Sequence, residues 1–116
     1  MEDDIFELIR GLYVQWFGHE GHHFERGNGI GDIWCTSCDA VLVDPTTDWN
    51  AMGRLIAAVS ARGWMVEMCY YPNGNGRAWA SVSHIVSGVR IPFGDSADTL
   101  PLAVCRAVDQ IPESQL

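Results

Sequence analysis

Two histidines and two cysteines with the spacing of a metal site are the residues in this chain most able to do chemistry. They follow the pattern His19-x2-His22-x12-Cys35-x2-Cys38, and His23 is an alternative to His22. A Cys-x2-Cys pair lets two thiolates of one tight turn bind one ion, and two imidazoles complete a tetrahedron that suits Zn²⁺. The sequence therefore predicts a zinc site.

The predicted ion is structural rather than catalytic. Four protein ligands fill the tetrahedron and leave no position for water, whereas catalytic zinc keeps one open. The stretch 25–32 between the two pairs is polar and rich in glycine, so it could not hold a shape through a core, and the ion would supply its order. Two other interpretations stay open, namely solvated histidines with free thiols, and a redox pair formed by Cys35 and Cys38.

The same segment resembles small zinc ribbons, in which a His-x-aromatic element and a Trp-Cys-x2-Cys knuckle flank a glycine-rich spacer. The matching stretches are 22–24 and 34–38. The chain departs from that pattern at Asp39, where such knuckles often have glycine, and at His19, where cysteine is commoner. The resemblance implies a small loop that is held by a metal ion.

An N-terminal helix must position the histidines. Residues 3–17 repeat apolar side chains at helical spacing, and the helix is expected to end at Gly18. An apolar face this wide must be covered by the main sheet or by a second copy of the chain, so a homodimer is predicted as one solution. The residues of that face are Ile5, Phe6, Leu8, Ile9, Leu12, Tyr13, Trp16 and Phe17.

Two further helical patterns lie between residues 48 and 111. Their shared-face residues are Trp49, Met52, Leu55, Ile56 and Val59 in the first, and Leu100, Ala103, Val104, Ala107, Val108 and Ile111 in the second. Side-chain oxygens able to cap a first turn precede both, on Thr46, Thr47 and Asp48, and on Asp98 and Thr99. Gly63 is placed for a left-handed residue at the end of the first helix.

Strand patterns fill the space between these helices. Residues 77–85 alternate small or apolar with polar side chains, and the aromatic-rich stretch 64–71 precedes them across two Asn-Gly pairs, which predicts a hairpin. Residues 89–91 before Pro92 predict a short edge strand. The predicted fold class is α+β. It consists of an α-β-β-β-α core with a small antiparallel sheet packed by helices, preceded by the N-terminal helix and a zinc-ribbon-like loop.

The string Ala-Asp-Thr-Leu-Pro-Leu-Ala-Val-Cys-Arg-Ala at 97–107 closes this stretch. Together with the strands before it, it resembles the phage ABA sandwich domain over about residues 48–111. That resemblance implies a phage or prophage origin and an α-β-α layering, and it carries no catalytic residues. The expected parts are a helix at 1–17, a metal-binding segment at 18–44 and an ABA sandwich-like domain at 45–116, forming one unit.

The charge balance limits the partners. Fifteen acidic residues face seven basic ones, all arginine, for a net charge of -8. Binding to duplex nucleic acid relies on lysine and arginine, so it is disfavoured. No apolar run is long enough to cross a membrane, and the acidic start at 1–4 is unlike a secretory signal. A cytoplasmic protein is predicted, in the host cell if the gene belongs to a phage.

A second candidate site lies on the hairpin. Tyr71, Arg77 and Trp79, with Arg90 on the next strand, could stack on and clamp an anionic ligand such as a nucleotide. The competing interpretation is a solvated sheet face or a dimer surface, since aromatic residues and arginine also mark interfaces.

Two classes of function stay open. The sequence has no His-Glu-x-x-His, phosphate loop or nucleophile elbow. This favours a non-enzymatic phage accessory protein that binds a host protein or sequesters a nucleotide-like signal of antiphage defence, with zinc in a structural role. The alternative is a small hydrolase or nucleotide-processing enzyme, for which no catalytic residues are assigned. A pairing of Cys69 or Cys105 with His84 also stays open, although both cysteines are more typical of small core residues.

Overall fold

The computed structural model describes residues 3–26, 33–70, 77–91 and 97–112, which form an α+β fold. The helices of this part of the chain are α1 (Asp3–Trp16), α2 (Trp49–Ala61) and α3 (Leu100–Asp109). The strands are β1 (Phe24–Arg26), β2 (Ile33–Cys35), β3 (Ala40–Leu42), β4 (Trp64–Tyr70), β5 (Ala78–His84) and β6 (Arg90–Ile91). They form two antiparallel sheets of three strands, in the orders β1-β2-β3 and β4-β5-β6. No helix in the described ranges is long and apolar enough to cross a membrane.

The predicted hairpin is confirmed and forms most of the larger sheet. Strands β4 and β5 pair antiparallel along their whole length, from Trp64 opposite His84 to Tyr70 opposite Ala78. The aromatic and β-branched residues of β4 and the alternation in β5 account for this pairing, because both suit a pleated surface with one buried face. The connecting loop 71–76 lies outside the described residues.

The predicted edge strand is also confirmed. In β6, Ile91 faces Val82 of β5. Further along the chain, Ala97 forms an isolated antiparallel bridge to Ala78 of β5 through two backbone hydrogen bonds of 2.6 and 2.7 Å. Strand β4 is the other edge of this sheet.

Helices α2 and α3 pack against β4 and β5, and α1 lies on α3 and α2. The reason is the alternation in β5, which turns its apolar residues towards the helices. Burying each large side chain in such a core stabilises the fold by roughly 1.5–3 kcal/mol. The largest fully buried side chains of this main core are Trp64, Leu12, Leu55, Val59, Val82, Val104 and Val108.

The ends of α2 and α3 agree with the sequence predictions. Asp48 caps α2 by accepting a hydrogen bond from the Ala51 N–H at 2.8 Å, and Thr99 caps α3 by accepting one from the Leu102 N–H at 3.4 Å. Gly63 follows α2 with a φ of 87°, in the left-handed region predicted for it.

The prediction that Trp49 belongs to the buried face of α2 is wrong. Met52, Leu55 and Val59 of that face are buried, but Trp49 is 60% exposed. Trp49 is the first residue of the helix. Helical periodicity predicts the face of the helix on which a side chain lies. Whether that side chain is buried depends on how far the neighbouring elements extend along the helix.

The polar stretch after α1 contains more order than the sequence indicated. Residues 25–32 were expected to lack a shape of their own, yet Glu25 and Arg26 belong to β1, which pairs with β2. Strands β2 and β3 flank a four-residue turn in a tight hairpin that brings Cys35 opposite Ala40. Each strand has three residues, which is too short for a two-residue period to be visible in the sequence.

Helix α1 is covered on two sides within the chain. Leu8, Leu12 and Trp16 join the main core, while Ile9 and Tyr13 pack with Ile33 of β2 in a second, smaller cluster. The wide apolar face is therefore covered by the helical layer and the small sheet. The homodimer stays a prediction.

Candidate metal centre

The four predicted ligands meet between the end of α1 and the β2–β3 turn. Their ligand atoms, one from each of His19, His22, Cys35 and Cys38, all lie within 4.8 Å of one another. His19 and His22 lie in the turn after α1, Cys35 is the last residue of β2, and Cys38 lies in the turn that leads to β3. The spacing in the sequence thus becomes one site in space.

The backbone brings the histidines back towards the cysteines. Gly18 and Gly21 have φ values of 73° and 79°, in the left-handed region, and so allow two sharp changes of direction within a few residues. The turn is closed by the His22 N–H, which donates to the His19 carbonyl at 3.0 Å. Substitution of either glycine would strain this turn and move the histidines.

The histidine turn is also joined directly to the cysteine turn. The Thr36 N–H donates to the His23 carbonyl at 2.9 Å, and the His23 N–H donates to the Ser37 hydroxyl at 3.1 Å. These bonds hold His23 by its backbone, next to the site, while the ligand group contains His22 instead. Of the two alternatives in the sequence, the structure brings His22 to the cysteines.

The distances around His22 match a tetrahedral zinc ion. Its Nδ1 lies 3.5 Å from the Cys35 sulfur and 3.4 Å from the Cys38 sulfur. With Zn–S bonds of about 2.3 Å and Zn–N bonds of about 2.0–2.1 Å at a tetrahedral angle, the nitrogen and sulfur should be about 3.6 Å apart. His22 and the two cysteines therefore have the separation that a common ion requires.

His19 is oriented by a bond to the backbone. Its Nδ1 lies 2.9 Å from the Phe17 carbonyl oxygen, and a carbonyl accepts only, so Nδ1 carries the hydrogen and Nε2 is left for the metal. The ring also contacts Tyr13 edge to face, with centroids 5.2 Å apart. A metal-binding histidine commonly has a hydrogen-bond partner of this kind, which fixes its tautomer.

The two sulfurs differ in environment. Cys35 is buried and Cys38 is exposed, and all four cysteines of the chain are free thiols. The hydrogen bond with Cys35, followed by desolvation and the Cys35 charge, raises the pKa of the Cys38 thiol. Two thiolates this close repel each other, and a divalent cation between them reverses that penalty. The donor set of two sulfurs and two imidazole nitrogens fits a closed tetrahedral ion.

Cys69 and His84 lie far apart in the larger sheet. Trp64 faces His84, and Cys69 lies five residues further along β4, which is about 17 Å in a strand. Cys105 is fully buried in the main core, where desolvation raises the pKa of its thiol. The ring of His84 packs edge to face on Trp64, with centroids 5.2 Å apart. Cys105 therefore has the core role that its sequence context favoured, whereas Cys69 is half-buried and pairs with Trp79 on the face of the sheet away from the helices.

The second candidate site is described only in part. Ser83 pairs with Arg90, and alternation in β5 places Trp79 on the same face of the sheet, with Arg77 just before the strand. The Arg90 guanidinium lies 4.0 Å from the Glu67 carboxylate, which partly offsets its charge. Tyr71 lies outside the described residues.

Two supporting groups near the metal centre were not found from the sequence. The Tyr13 hydroxyl donates to the Val43 carbonyl at 2.6 Å, which links α1 to the end of the small sheet. The Phe17 carbonyl orients His19. Tyr13 was identified only as part of an apolar stripe, and a backbone carbonyl carries no signal in the sequence.

No family model, curated protein sequence or solved structure matches this chain. The function is therefore argued from the geometry of its described residues.

Proposed function

We propose that this protein is a non-enzymatic binding module whose N-terminal part is held by a structural Zn²⁺ ion bound to His19, His22, Cys35 and Cys38. The observation that carries the proposal is the meeting of these four ligand atoms within 4.8 Å. Each of the two ligand pairs comes from its own tight turn. Four protein ligands leave no coordination position of the ion open to substrate, which fits a structural role.

The donor set favours zinc over other metals. Thiolate sulfur and imidazole nitrogen are soft or borderline ligands, whereas Mg²⁺ and Ca²⁺ prefer oxygen. A tetrahedral S₂N₂ arrangement is typical of zinc sites.

The biological setting belongs to the same proposal. The resemblance of residues 97–107 to the phage ABA sandwich domain supports a phage accessory protein that acts in the host cell. The face of the β4–β6 sheet away from the helices, with Arg77, Trp79 and Arg90, is the surface that we assign to a host protein or a small nucleotide-like ligand. The described residues offer no specific support for the hydrolase alternative.

Elemental analysis of the purified protein tests the metal assignment. We expect one zinc per chain, and a Co²⁺-substituted protein should show the intense visible absorption of a tetrahedral thiolate site. His22→Ala and Cys38→Ser should lose the metal, while His23→Ala should keep it, because His23 is the neighbouring histidine outside the ligand group. A protein without stoichiometric zinc, or equal loss in His22→Ala and His23→Ala, would contradict the assignment.

The ligand is tested separately from the metal. A thermal-shift screen with nucleotides and cyclic dinucleotides, followed by recovery of the ligand, distinguishes a binder from an enzyme. Intact ligand supports the binding module, and altered ligand supports the nucleotide-processing alternative.

A further inference from the structure

A cleft of about 400 Å³ opens where α2 and α3 begin, at one end of the larger sheet. Among the described residues, its lining includes Trp49, Tyr70, Leu100, Pro101 and Asp98, together with three threonines. This volume lies within the range of about 300–1,000 Å³ that is usual for small-molecule sites.

The cleft has a simple origin in the fold. Tyr70 pairs with Ala78, and Ala78 forms a bridge to Ala97, so the three residues form one row across the sheet. Residues paired directly across strands share a face, and Ala78 is buried on the helix side. Two of the three side chains in this row, those of Ala78 and Ala97, are thus methyl groups, and α2 and α3 begin next to it.

Two large aromatic side chains face this space without being buried. Trp49 is 60% exposed and Tyr70 is 48% exposed, although both belong to regular elements that pack in the main core elsewhere. Aromatic rings left accessible in a cleft offer their negative faces to a ligand.

The charges of the cleft select the sign of that ligand. Asp98 is the charged residue in the described lining, and no arginine is found there. The helix starts that border the cleft are already capped, by the Asp48 carboxylate on the Ala51 N–H and by the Thr99 hydroxyl on the Leu102 N–H. The Asp48 carboxylate also places a negative charge at the positive end of the α2 dipole, and the chain as a whole has a net charge of -8.

We propose that this cleft binds a small organic cation, an alkylated ammonium group on an apolar body. The cation contacts the rings of Trp49 and Tyr70, and the Asp98 carboxylate attracts its charge, while Leu100 and Pro101 contact the apolar body. This site is separate from the metal centre and from the sheet face with Arg77, Trp79 and Arg90, and it takes the opposite sign of charge.

A titration followed by ¹H–¹⁵N spectra of the zinc-loaded protein tests the proposal. The probes are choline and benzyltrimethylammonium, with 3,3-dimethylbutan-1-ol as a neutral molecule of the same shape as choline. The indole N–H signal of Trp49, identified by its loss in Trp49→Leu, should shift and saturate with both cations. The neutral alcohol should bind at least tenfold more weakly, and AMP should cause no shift at this signal.

Matched variants locate the site. With the Thr99 amide as the reporter, Trp49→Leu should weaken choline binding at least tenfold, Trp49→Phe should restore part of it, and Asp98→Asn should weaken it several-fold. Asp98 is not the capping residue of α3, so Asp98→Asn leaves that cap intact. Trp79→Leu should leave choline binding unchanged, because Trp79 lies on the other face of the sheet.

Three results would overturn the proposal. The first is the absence of a saturable shift with either cation. The second is equal affinity for the neutral alcohol, which would show an apolar groove without charge preference. The third is a choline affinity that falls in Trp79→Leu and not in Trp49→Leu. Zinc content is measured on the same samples, so that a failure of this proposal can be distinguished from a failure of the metal assignment.

Discussion

The two sheets of this chain have the same number of strands and are held together by different means. The β4–β6 sheet has two strands of seven residues and packs under a layer of helices, with a contiguous core. The β1–β3 sheet has three strands of three residues, and its apolar cluster has Ile9, Tyr13 and Ile33 as buried members. The smaller sheet thus buries few apolar side chains that could stabilise its three short strands.

A metal ion held by His19, His22, Cys35 and Cys38 would account for this difference. Fixing the backbone of one residue costs about 1–2 kcal/mol of conformational entropy. The burial of three apolar side chains can offset that cost for only a few residues. Four ligands converge at the point where the small sheet meets the end of α1, so a metal ion there would join the turns that the apolar cluster does not reach. The larger sheet needs no such ion, because its side chains are buried by α2 and α3.

Removal of the metal should have the largest effect, and that effect should be confined to the small sheet. Chelation of zinc, or His22→Ala, should abolish hydrogen-exchange protection in β1–β3 and leave β4 and β5 protected. Binding of structural zinc contributes up to about 10–16 kcal/mol in small zinc domains, so this is the largest effect expected. His23→Ala is the control and should keep protection in both sheets. Equal loss in the two sheets would mean that they do not differ in this way.

A cavity in the main core should act on the whole chain. Leu55 is fully buried, and Leu55→Ala should lower the free energy of unfolding by about 2–5 kcal/mol. Denaturant unfolding of zinc-loaded and zinc-free protein should show similar losses in β4 and β5. Val86→Ala, at a side chain that is 88% exposed, should have little effect. Selective release of zinc by Leu55→Ala would contradict the assignment of Leu55 to the main core alone.

The link between α1 and the small sheet can be weakened alone. Tyr13→Phe removes the hydroxyl that donates to the Val43 carbonyl, which should cost about 0.5–1.5 kcal/mol. Because this bond lies beside the metal centre, we expect zinc affinity to fall by up to about tenfold. Competition with a chelating dye measures that affinity. Tyr70→Phe, outside the metal centre, should leave it unchanged.

A change in the knuckle should strengthen the small sheet. Asp39 has a φ of 55°, in the left-handed region that costs most residues about 1–2 kcal/mol. Glycine avoids that cost but loses about 0.5–1 kcal/mol through its flexibility, so Asp39→Gly should stabilise β1–β3 by about 0.5–1 kcal/mol. Hydrogen exchange of the zinc-loaded protein measures this gain. Asp39→Ala should show no gain, and a gain equal to that of glycine would exclude the backbone explanation.

The smallest expected effect on stability comes from the Asp109 carboxylate at the end of α3. Burial raises the pKa of Asp109 above its ordinary value of 3.8, and Asp109 ends α3, where the helix dipole also disfavours negative charge. The folded chain therefore binds this proton more tightly than the unfolded chain, so Asp109 lowers stability as the pH rises from 3.8 through its folded pKa. Asp109→Asn should raise the melting temperature of the zinc-free protein at pH 7. The gain should disappear below about pH 3.8, and a gain that persists there would contradict burial as its cause.

The larger sheet and its helices could be predicted because their signals are local. The alternation in β5, the caps at Asp48 and Thr99, and Gly63 each depend on a few neighbouring residues. Strands β1–β3 could not be predicted in this way, since three residues show no period. The exposure of Trp49 also could not be predicted, because it depends on tertiary packing.

Residue type and spacing identified the four candidate metal ligands and placed His22 before His23, but they gave no physical reason for that choice. His22 reaches the cysteines because Gly21 turns the chain and because the His23 backbone bonds to Thr36 and Ser37. Neither effect can be read from a spacing rule. The structure therefore adds to the prediction the orientation of each ring and the bonds that fix it.

The position of α1 in the chain has a consequence for how the protein reaches its fold during synthesis. Among the described elements, this helix is translated before all others, yet much of its cover is α3, which is translated after them. Leu8, Leu12 and Trp16 leave the ribosome long before their partners in the main core exist. The native packing of α1 must therefore form after α3 has been synthesised, and until then its apolar stripe lacks that cover.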